Sequence, residues 1–151
     1  MQCADLQRVL ATLPAPLEYW VAYSAGVDSH ASLHLLSQCR DGVSAPLKAV
    51  HVNHGLQKDA PTWVAHAQAV CDDLGIELVT LQVSDKPAAN QSIEAFARDQ
   101  RYCLIGDAMP AEAMLLTAQH QDDQAETLML QLLRGAGVDG LASMPLCREF
   151  A

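Results

Sequence analysis

The stretch at residues 21–30, VAYSAGVDSH, constrains the fold more than any other part of the chain. An apolar run stops at a short turn of Ser, Ala, Gly and Asp, and a segment with apolar residues at helical spacing follows from Ala31. This order is typical of a buried strand, a tight loop and a helix N-terminus. The first N–H groups of a helix are unpaired and the helix dipole is positive there, so such a junction suits an anion, phosphate above all.

An ordinary strand-to-helix connection, with Asp28 or Ser29 as the N-cap, is the alternative interpretation of this junction. The pattern Ser-x-Gly-x-Asp-Ser at residues 24–29 places two hydroxyls and one carboxylate in the same turn. Capping one helix needs only one of these groups. The pattern therefore favours an anion site.

Apolar periodicity and turn residues predict a regular alternation of strands and helices. Strands are expected at residues 17–23, 47–52, 76–83 and 113–117, and helices at 5–13, 29–39, 62–74, 92–107 and 122–133. Four alternations predict an α/β protein with a parallel sheet, right-handed crossovers and helices on both faces. Ligands of such sheets bind beyond the carboxyl ends of the strands.

Three polar clusters follow predicted strands, at residues 24–29, 51–54 and 117–123. Because parallel strands end at the same edge of a sheet, we expect all three clusters on one rim, which would be an active site. His51 and His54 could be metal ligands by composition, but histidines three residues apart at a strand end more often form hydrogen bonds with the backbone.

Length and charge limit the classes of function. A chain of 151 residues, half of them hydrophobic, is long enough for one domain with a real core. It has no apolar run of about 20 residues and no basic, apolar leader, so we expect a soluble cytoplasmic protein without membrane contact. The net charge of −9 means that any grip on nucleic acid must come mostly from elsewhere.

The five cysteines are scattered, odd in number and never spaced as Cys-x-x-Cys. This pattern argues against a disulfide framework and against a zinc or iron–sulfur site. We expect most of the cysteines to be small buried hydrophobes.

Motifs along the chain resemble one family of enzymes. The loop at residues 24–29 lacks the features of a Walker loop or a dinucleotide fingerprint, but it resembles the Ser-Gly-Gly-x-Asp-Ser loop of PP-loop ATP pyrophosphatases except at Ala25. Four further segments resemble tRNA(Ile)-lysidine synthases in order and spacing: AVHVNHGL at 49–56, AFARDQRY at 95–102, TAQHQDDQAET at 117–127 and LRGAGVDGL at 133–141.

This resemblance implies a PP-loop fold, similar to adenine nucleotide alpha hydrolases and Rossmann-like. It also implies an ATP- and Mg²⁺-dependent ligase that adenylates the C2 oxygen of the wobble cytidine in a CAU-anticodon tRNA(Ile) and releases pyrophosphate. The amino group of free L-lysine then displaces AMP.

The resemblance also assigns site residues. Those expected to bind ATP are Ser24, Ala25, Gly26, Val27, Asp28, Ser29, His51, Val52 and Asn53. Asp28 would also bind Mg²⁺ and would act in catalysis with Arg98 and His120. Substrate would be held by Asp122, Asp123, Glu126 and Arg134.

Several of these residues have simpler explanations. Arg98 could pair with Glu94 or Asp99 on a solvated helix face, and the helix dipole favours Asp122 and Asp123 in a first turn in any case. Ala25 replaces the glycine usual in the family. Its Cβ costs on the order of 1–2 kcal/mol if the position needs positive φ and almost nothing otherwise.

Members of this family are usually much longer. We therefore expect residues 1–151 to be a truncated N-terminal catalytic domain that lacks the C-terminal tRNA-binding domains and a final edge strand. An exposed sheet edge would allow a homodimer. The alternatives are another PP-loop tRNA-modifying or amide-forming ATP pyrophosphatase, and an ATP-binding module without catalysis.

Overall fold

The computed structural model describes residues 2–55, 60–87, 89–137 and 142–149. The chain divides into two compact units, residues 1–117 and 118–151. Leu56 and residues 138–141, which belong to two of the sequence motifs, lie outside the described residues. No helix in the described ranges is long and apolar enough to span a bilayer.

The first unit alternates helices and strands. Its elements are α1 (Cys3–Leu10), β1 (Glu18–Ala22), α2 (Val27–Gln38), a short 3-10 helix (Arg40–Gly42), β2 (Leu47–Asn53), α3 (Ala60–Leu74), β3 (Glu77–Gln82), α4 (Ile93–Ala108) and β4 (Ala113–Leu116). The strands form one sheet in the order β3-β2-β1-β4, and every pairing is parallel. The predicted α/β fold with a parallel sheet is confirmed.

Helices cover both faces of the sheet. Successive side chains of β1 point to opposite faces, and because most of them are apolar, each face needs a layer of helices to bury them. Tyr19 and Val21 pack in one cluster with buried residues of three helices, Leu10 of α1, Leu33 and Leu36 of α2, and Ala67 and Cys71 of α3. Trp20 packs in a second cluster with Val50 of β2 and Ile105 of α4. The prediction of a sheet covered on both faces is therefore also confirmed.

A charged network joins three strands near their starts. Lys48 Nζ lies 3.3 Å from Glu18 Oε1 and 3.6 Å from Glu77 Oε2, and Trp20 Nε1 donates to Glu18 Oε2 at 2.7 Å. The hydrogen bond from Trp20, followed by the bond and charge of Lys48, holds the pKa of Glu18 below its ordinary value.

This lowered pKa predicts a loss of stability in acid. A carboxyl whose pKa is lower in the folded state stabilises the fold above its unfolded pKa, near 4.5, and that contribution disappears as the pH falls through the folded value. Glu18→Gln should flatten the acid limb of stability measured by denaturant unfolding between about pH 7 and pH 3. Glu112→Gln, at an exposed carboxyl, is the control, and equal flattening in both variants would contradict the assignment.

A disulfide joins Cys3 of α1 to Cys39, the residue that follows α2. The expectation of no disulfide is wrong, because residues separated by 36 positions meet where α1 packs beside α2. Gln7 Nε2 reinforces this contact by donating to the carbonyl oxygen of Cys39 at 3.2 Å. Cys71 is buried as expected, whereas Cys103 and Cys147 are exposed, contrary to expectation.

Removing this cross-link should destabilise the fold. Closing a loop of this length restricts the unfolded chain, so Cys3→Ser should lower the free energy of unfolding by about 4 kcal/mol in the chain-entropy model. Chemical denaturation without reductant measures the change. Cys103→Ser, at a free exposed thiol, is the matched control. A thiol titration that finds five free cysteines in the unreduced protein would rule the bond out.

The second unit contains α5 (Gln121–Leu133). His120 caps this helix: its Nδ1 accepts from the Asp122 N–H at 3.2 Å, and Asp123 Oδ2 accepts from the His120 N–H at 2.8 Å. Ser143 Oγ donates to Gln124 Oε1 at 2.7 Å, and Gln124 Nε2 donates to the Met144 carbonyl oxygen at 2.9 Å. These bonds attach the described segment 142–149 to α5.

Candidate functional site

The first two polar clusters meet at the carboxyl edge of the sheet. Ala22 of β1 pairs with Val50 of β2, and the next residue, Tyr23, donates its N–H to the Val50 carbonyl oxygen at 2.8 Å. Because the strands are parallel, the chain enters residues 24–29 beside the end of β2. Both clusters belong to the first unit.

Residues 24–29 form a short loop and the start of α2, and their own hydroxyls hold the two together; we call this stretch the loop. Ser24 Oγ and Ser29 Oγ lie 3.0 Å apart, and Ser29 Oγ donates to the Gly26 carbonyl oxygen at 3.0 Å. The Gly26 N–H donates to Ser24 Oγ at 3.4 Å. Ser24 is exposed and Ser29 is buried, so one hydroxyl anchors the loop and the other lies at its surface.

The helix after the loop begins earlier than predicted. Its N-cap is Gly26, and no side chain caps it. Asp28 and Ser29 lie within the first turn, so the alternative in which one of them is the N-cap is wrong. An N-terminus that carries the dipole's positive end and lacks a side-chain cap keeps the anion-binding character expected from the sequence.

Ala25 has a φ of 61°, in the left-handed region. A Cβ in this conformation costs on the order of 1 kcal/mol, whereas glycine adopts it freely. The adjacent Gly26 has a φ of −78°, which any residue can adopt. The strain therefore falls on the position where the sequence departs from the Ser-Gly-Gly-x-Asp-Ser pattern.

Ala25→Gly should therefore stabilise the protein, by about 0.5–1 kcal/mol, since relief of the left-handed strain outweighs the added freedom of the unfolded chain. Ala31→Gly is the matched control: Ala31 lies within α2, where glycine should destabilise by about 1 kcal/mol. Denaturant unfolding of both variants measures the difference. Destabilisation of similar size in both would show that Ala25 is not strained.

Two histidines support the chain just before the loop. Tyr23 Oη lies 3.1 Å from His30 Nδ1, which ties the end of the first apolar run to the first turn of α2. His51 Nδ1 lies 2.8 Å from the Tyr23 carbonyl oxygen. A carbonyl only accepts, so this His51 nitrogen carries the proton. The buried His51 side chain thus binds the backbone that precedes the loop, and sequence patterns gave no signal for the role of Tyr23.

The end of β2 is fixed by two further hydrogen bonds, each donated by a backbone N–H. Asn53 Oδ1 accepts from the Gly55 N–H at 2.9 Å, and the Asn53 carbonyl oxygen accepts from the Val83 N–H at 2.9 Å. Gly55 has a φ of 62°. Val52 and Asn53 are half-buried, which leaves them partly accessible at the same edge as the loop.

His54 differs from these neighbours. Both of its ring nitrogens are shielded from solvent and lack a hydrogen-bond partner within the described part of the chain. The expectation of a backbone hydrogen bond is therefore met by His51 and wrong for His54. Burial, then the charges of Arg101 and His51, lower the pKa of His54, so its ring is neutral at pH 7.

Arg98 is exposed on α4, with its guanidinium carbon 5.5 Å from the centroid of the Tyr102 ring. Among the described residues, no ion pair joins it to Glu94 or Asp99. The simpler explanation of a surface ion pair is therefore not met, and the charge stays accessible.

The other predicted site residues, His120, Asp122, Asp123, Glu126 and Arg134, lie in the second unit. His120 and Asp123 form the capping box of α5, and Arg134 is its C-cap residue. Glu126 is exposed in the second turn. Over the described ranges, no group of three or more His, Cys, Asp and Glu side chains could hold a metal by itself.

A parallel sheet with a short loop and a helix N-terminus after its inner strand β1 defines a Rossmann-like α/β protein, a class whose ligands bind at the carboxyl edge of the sheet. The chain belongs to the PP-loop domain family, whose model matches residues 4–151. Membership in this family implies that the chain binds ATP.

Curated relatives share this sequence closely. The chain is 49% identical over 134 residues to the tRNA(Ile)-lysidine synthase of Pseudomonas putida, covering 88% of this chain and 31% of that protein. It is 52% identical over 129 residues to the enzyme of the same name from Pseudomonas aeruginosa, covering 85% of this chain and 29% of that protein. The chain thus spans about three tenths of the length of these relatives.

Solved structures share the fold at much lower identity. A U34-tRNA thiolase from Methanococcus maripaludis, solved with its [4Fe-4S] cluster, has a TM-score of 0.68 at 20% identity, over 92% of this chain and 52% of that one. NMN synthetase from Francisella tularensis has a TM-score of 0.58 at 13% identity, over 95% of this chain and 73% of that one. At these identities the likeness concerns the fold alone.

Proposed function

We propose that the chain is the N-terminal catalytic domain of a tRNA(Ile)-lysidine synthase. The proposal is supported by residues 24–29, which bring a helix N-terminus without a side-chain cap and the exposed Ser24 hydroxyl to the carboxyl edge of the sheet. Identities of 49% and 52% to enzymes of that name support it. The substrates would be ATP, free L-lysine and a tRNA(Ile) with a CAU anticodon, in the cytoplasm.

The reaction has two steps. The C2 oxygen of the wobble cytidine attacks the α-phosphorus of ATP, the bond to the bridging oxygen breaks, and pyrophosphate leaves. The amine of lysine then attacks C2, AMP leaves with the oxygen, and the amine loses a proton. A new carbon–nitrogen bond results. Electrostatic stabilisation of the departing phosphates is the main task of the protein in the first step.

The loop supplies groups suited to that task. The start of α2 and the exposed Ser24 hydroxyl would hold the phosphates. Mg²⁺ is commonly bound by one or two carboxylates together with phosphate oxygens and water, so Asp28 fits as the one protein carboxylate of the loop. His51, Val52 and Asn53 would line the nucleoside end of the site. Arg98 would balance charge on phosphate or on the activated base.

Three carboxylates of the second unit would bind the substrate lysine. Asp122 and Glu126 lie four residues apart on α5, where two like charges repel slightly, so a structural helix gains nothing from them. Together with Asp123 they would attract the lysine ammonium. We assign His120 to the phosphates and Arg134 to substrate binding. Because the chain is acidic, binding of tRNA would depend on the regions found in the longer relatives. Alone, the chain should therefore modify tRNA poorly, and we also expect it to bind ATP weakly.

Asp28→Asn should lower the rate of AMP and pyrophosphate formation about 100-fold or more, because the carboxylate that recruits the metal is lost while the fold stays intact. The measurement uses ATP, lysine and a CAU-anticodon tRNA transcript, with the substitution made in a protein of the relatives' full length, because the chain alone should modify tRNA poorly. Asp41→Asn, in the exposed 3-10 helix, is the matched control and should keep the unaltered rate.

The outcomes separate the competing functions. ATP binding without AMP formation, in this chain and in a protein of the relatives' full length, would favour a non-catalytic module. AMP formation that does not depend on lysine would favour another PP-loop ATP pyrophosphatase. Sulfur insertion is disfavoured because the clusters at 24–29 and 51–54 contain no cysteine.

A further inference from the structure

The imidazole of His54 is an exception at the end of β2. Asn53 and Gly55 on either side of it are hydrogen-bonded to each other, and His51 bonds the Tyr23 carbonyl. His54 alone among these four residues has side-chain polar atoms that are buried and unpaired in the described part of the chain. Such a group destabilises a fold and calls for an explanation beyond packing.

The position of His54 offers that explanation. It directly follows β2, which pairs in parallel with β1, so it leaves the sheet at the same edge as the loop at residues 24–29. It lies outside any helix or strand, and the residue as a whole is only half-buried although its ring nitrogens are shielded from solvent.

We infer that His54 is a nucleoside-binding residue of the ATP site, an inference that rests on the function proposed above. When the nucleotide binds, the ring turns toward it, and its two nitrogens donate to and accept from the ribose hydroxyls or the base. The ring nitrogens are then unpaired in the free protein because their partner, the nucleoside, is absent.

The chemistry of the ring selects the nucleoside over the phosphates. Burial, and then the charge of Arg101 on α4, lower the pKa of His54 and favour the neutral form of its ring. A neutral imidazole presents one donor and one acceptor. Ribose hydroxyls and the adenine edge offer both kinds of partner, whereas phosphate oxygens only accept. The phosphates already have the loop and the N-terminus of α2.

Two substitutions at His54 test the inference through opposite effects on stability and binding. His54→Phe keeps the ring shape and removes the unpaired nitrogens, so it should leave the midpoint of denaturation equal or higher while weakening ATP binding about five- to tenfold. His54→Gln retains a donor and an acceptor and should hold ATP affinity within about twofold. Calorimetric titration measures ATP and, as the probe without a nucleoside, inorganic tripolyphosphate.

Tripolyphosphate affinity should be the same in all variants, and His66→Phe, at an exposed position on α3, should change nothing. Unchanged ATP affinity in His54→Phe, or an equal fall for ATP and tripolyphosphate, would overturn the inference and leave the ATP site standing. Failure of the unaltered protein to bind ATP would overturn both. If His54→Phe does not fold, the ring ¹⁵N resonances of His54 in the unaltered protein decide: they should move with ATP and not with tripolyphosphate.

Discussion

The parallel pairing of β1 with β2 is the constraint on which the rest of the first unit depends. β1 is central, with β2 on one side and β4 on the other, and its side chains feed both hydrophobic clusters. Its last pairing, continued by the bond from Tyr23 to Val50, determines where the chain turns into the loop. The hydrogen bonds of the sheet therefore determine where the loop lies, and the hydroxyls of the loop affect only its shape.

Side chains behind the loop hold the backbone that leads into it. Tyr23 is held on its carbonyl by His51 and on its hydroxyl by His30, so one residue connects β2, the loop and α2. Burial raises the pKa of the Tyr23 hydroxyl, which keeps it protonated and able to hydrogen-bond His30. A rigid support of this kind allows the backbone at Ala25 to keep a strained conformation, because the surrounding bonds determine it more strongly than its own preference.

Much of the fold was readable from the sequence, because a parallel sheet with both faces covered has apolar strands and regularly spaced helices. The features that were missed depend on three-dimensional proximity. α2 begins before Asp28 because its start is determined by the backbone geometry at Gly26 and not by a polar side-chain cap, which is the feature that a sequence reveals. Cys3 and Cys39 gave no signal because their spacing matches no motif. His51 and His54 look equivalent in sequence, and only burial and partners distinguish them. The roles of the residues on α5 remain predictions.

The cross-link at Cys39 also has a chemical consequence for the protein as a material. It closes the end of α2 opposite the loop, and a helix of 12 residues is about 18 Å long. Protein made in a reducing compartment and protein made in an oxidising one are therefore two molecules that differ by two hydrogen atoms, both at the end of α2 opposite the loop. The mass of each preparation identifies which molecule is present. Comparing the conformation of the loop in the two molecules would show whether the cross-link at one end of α2 affects the loop at the other end.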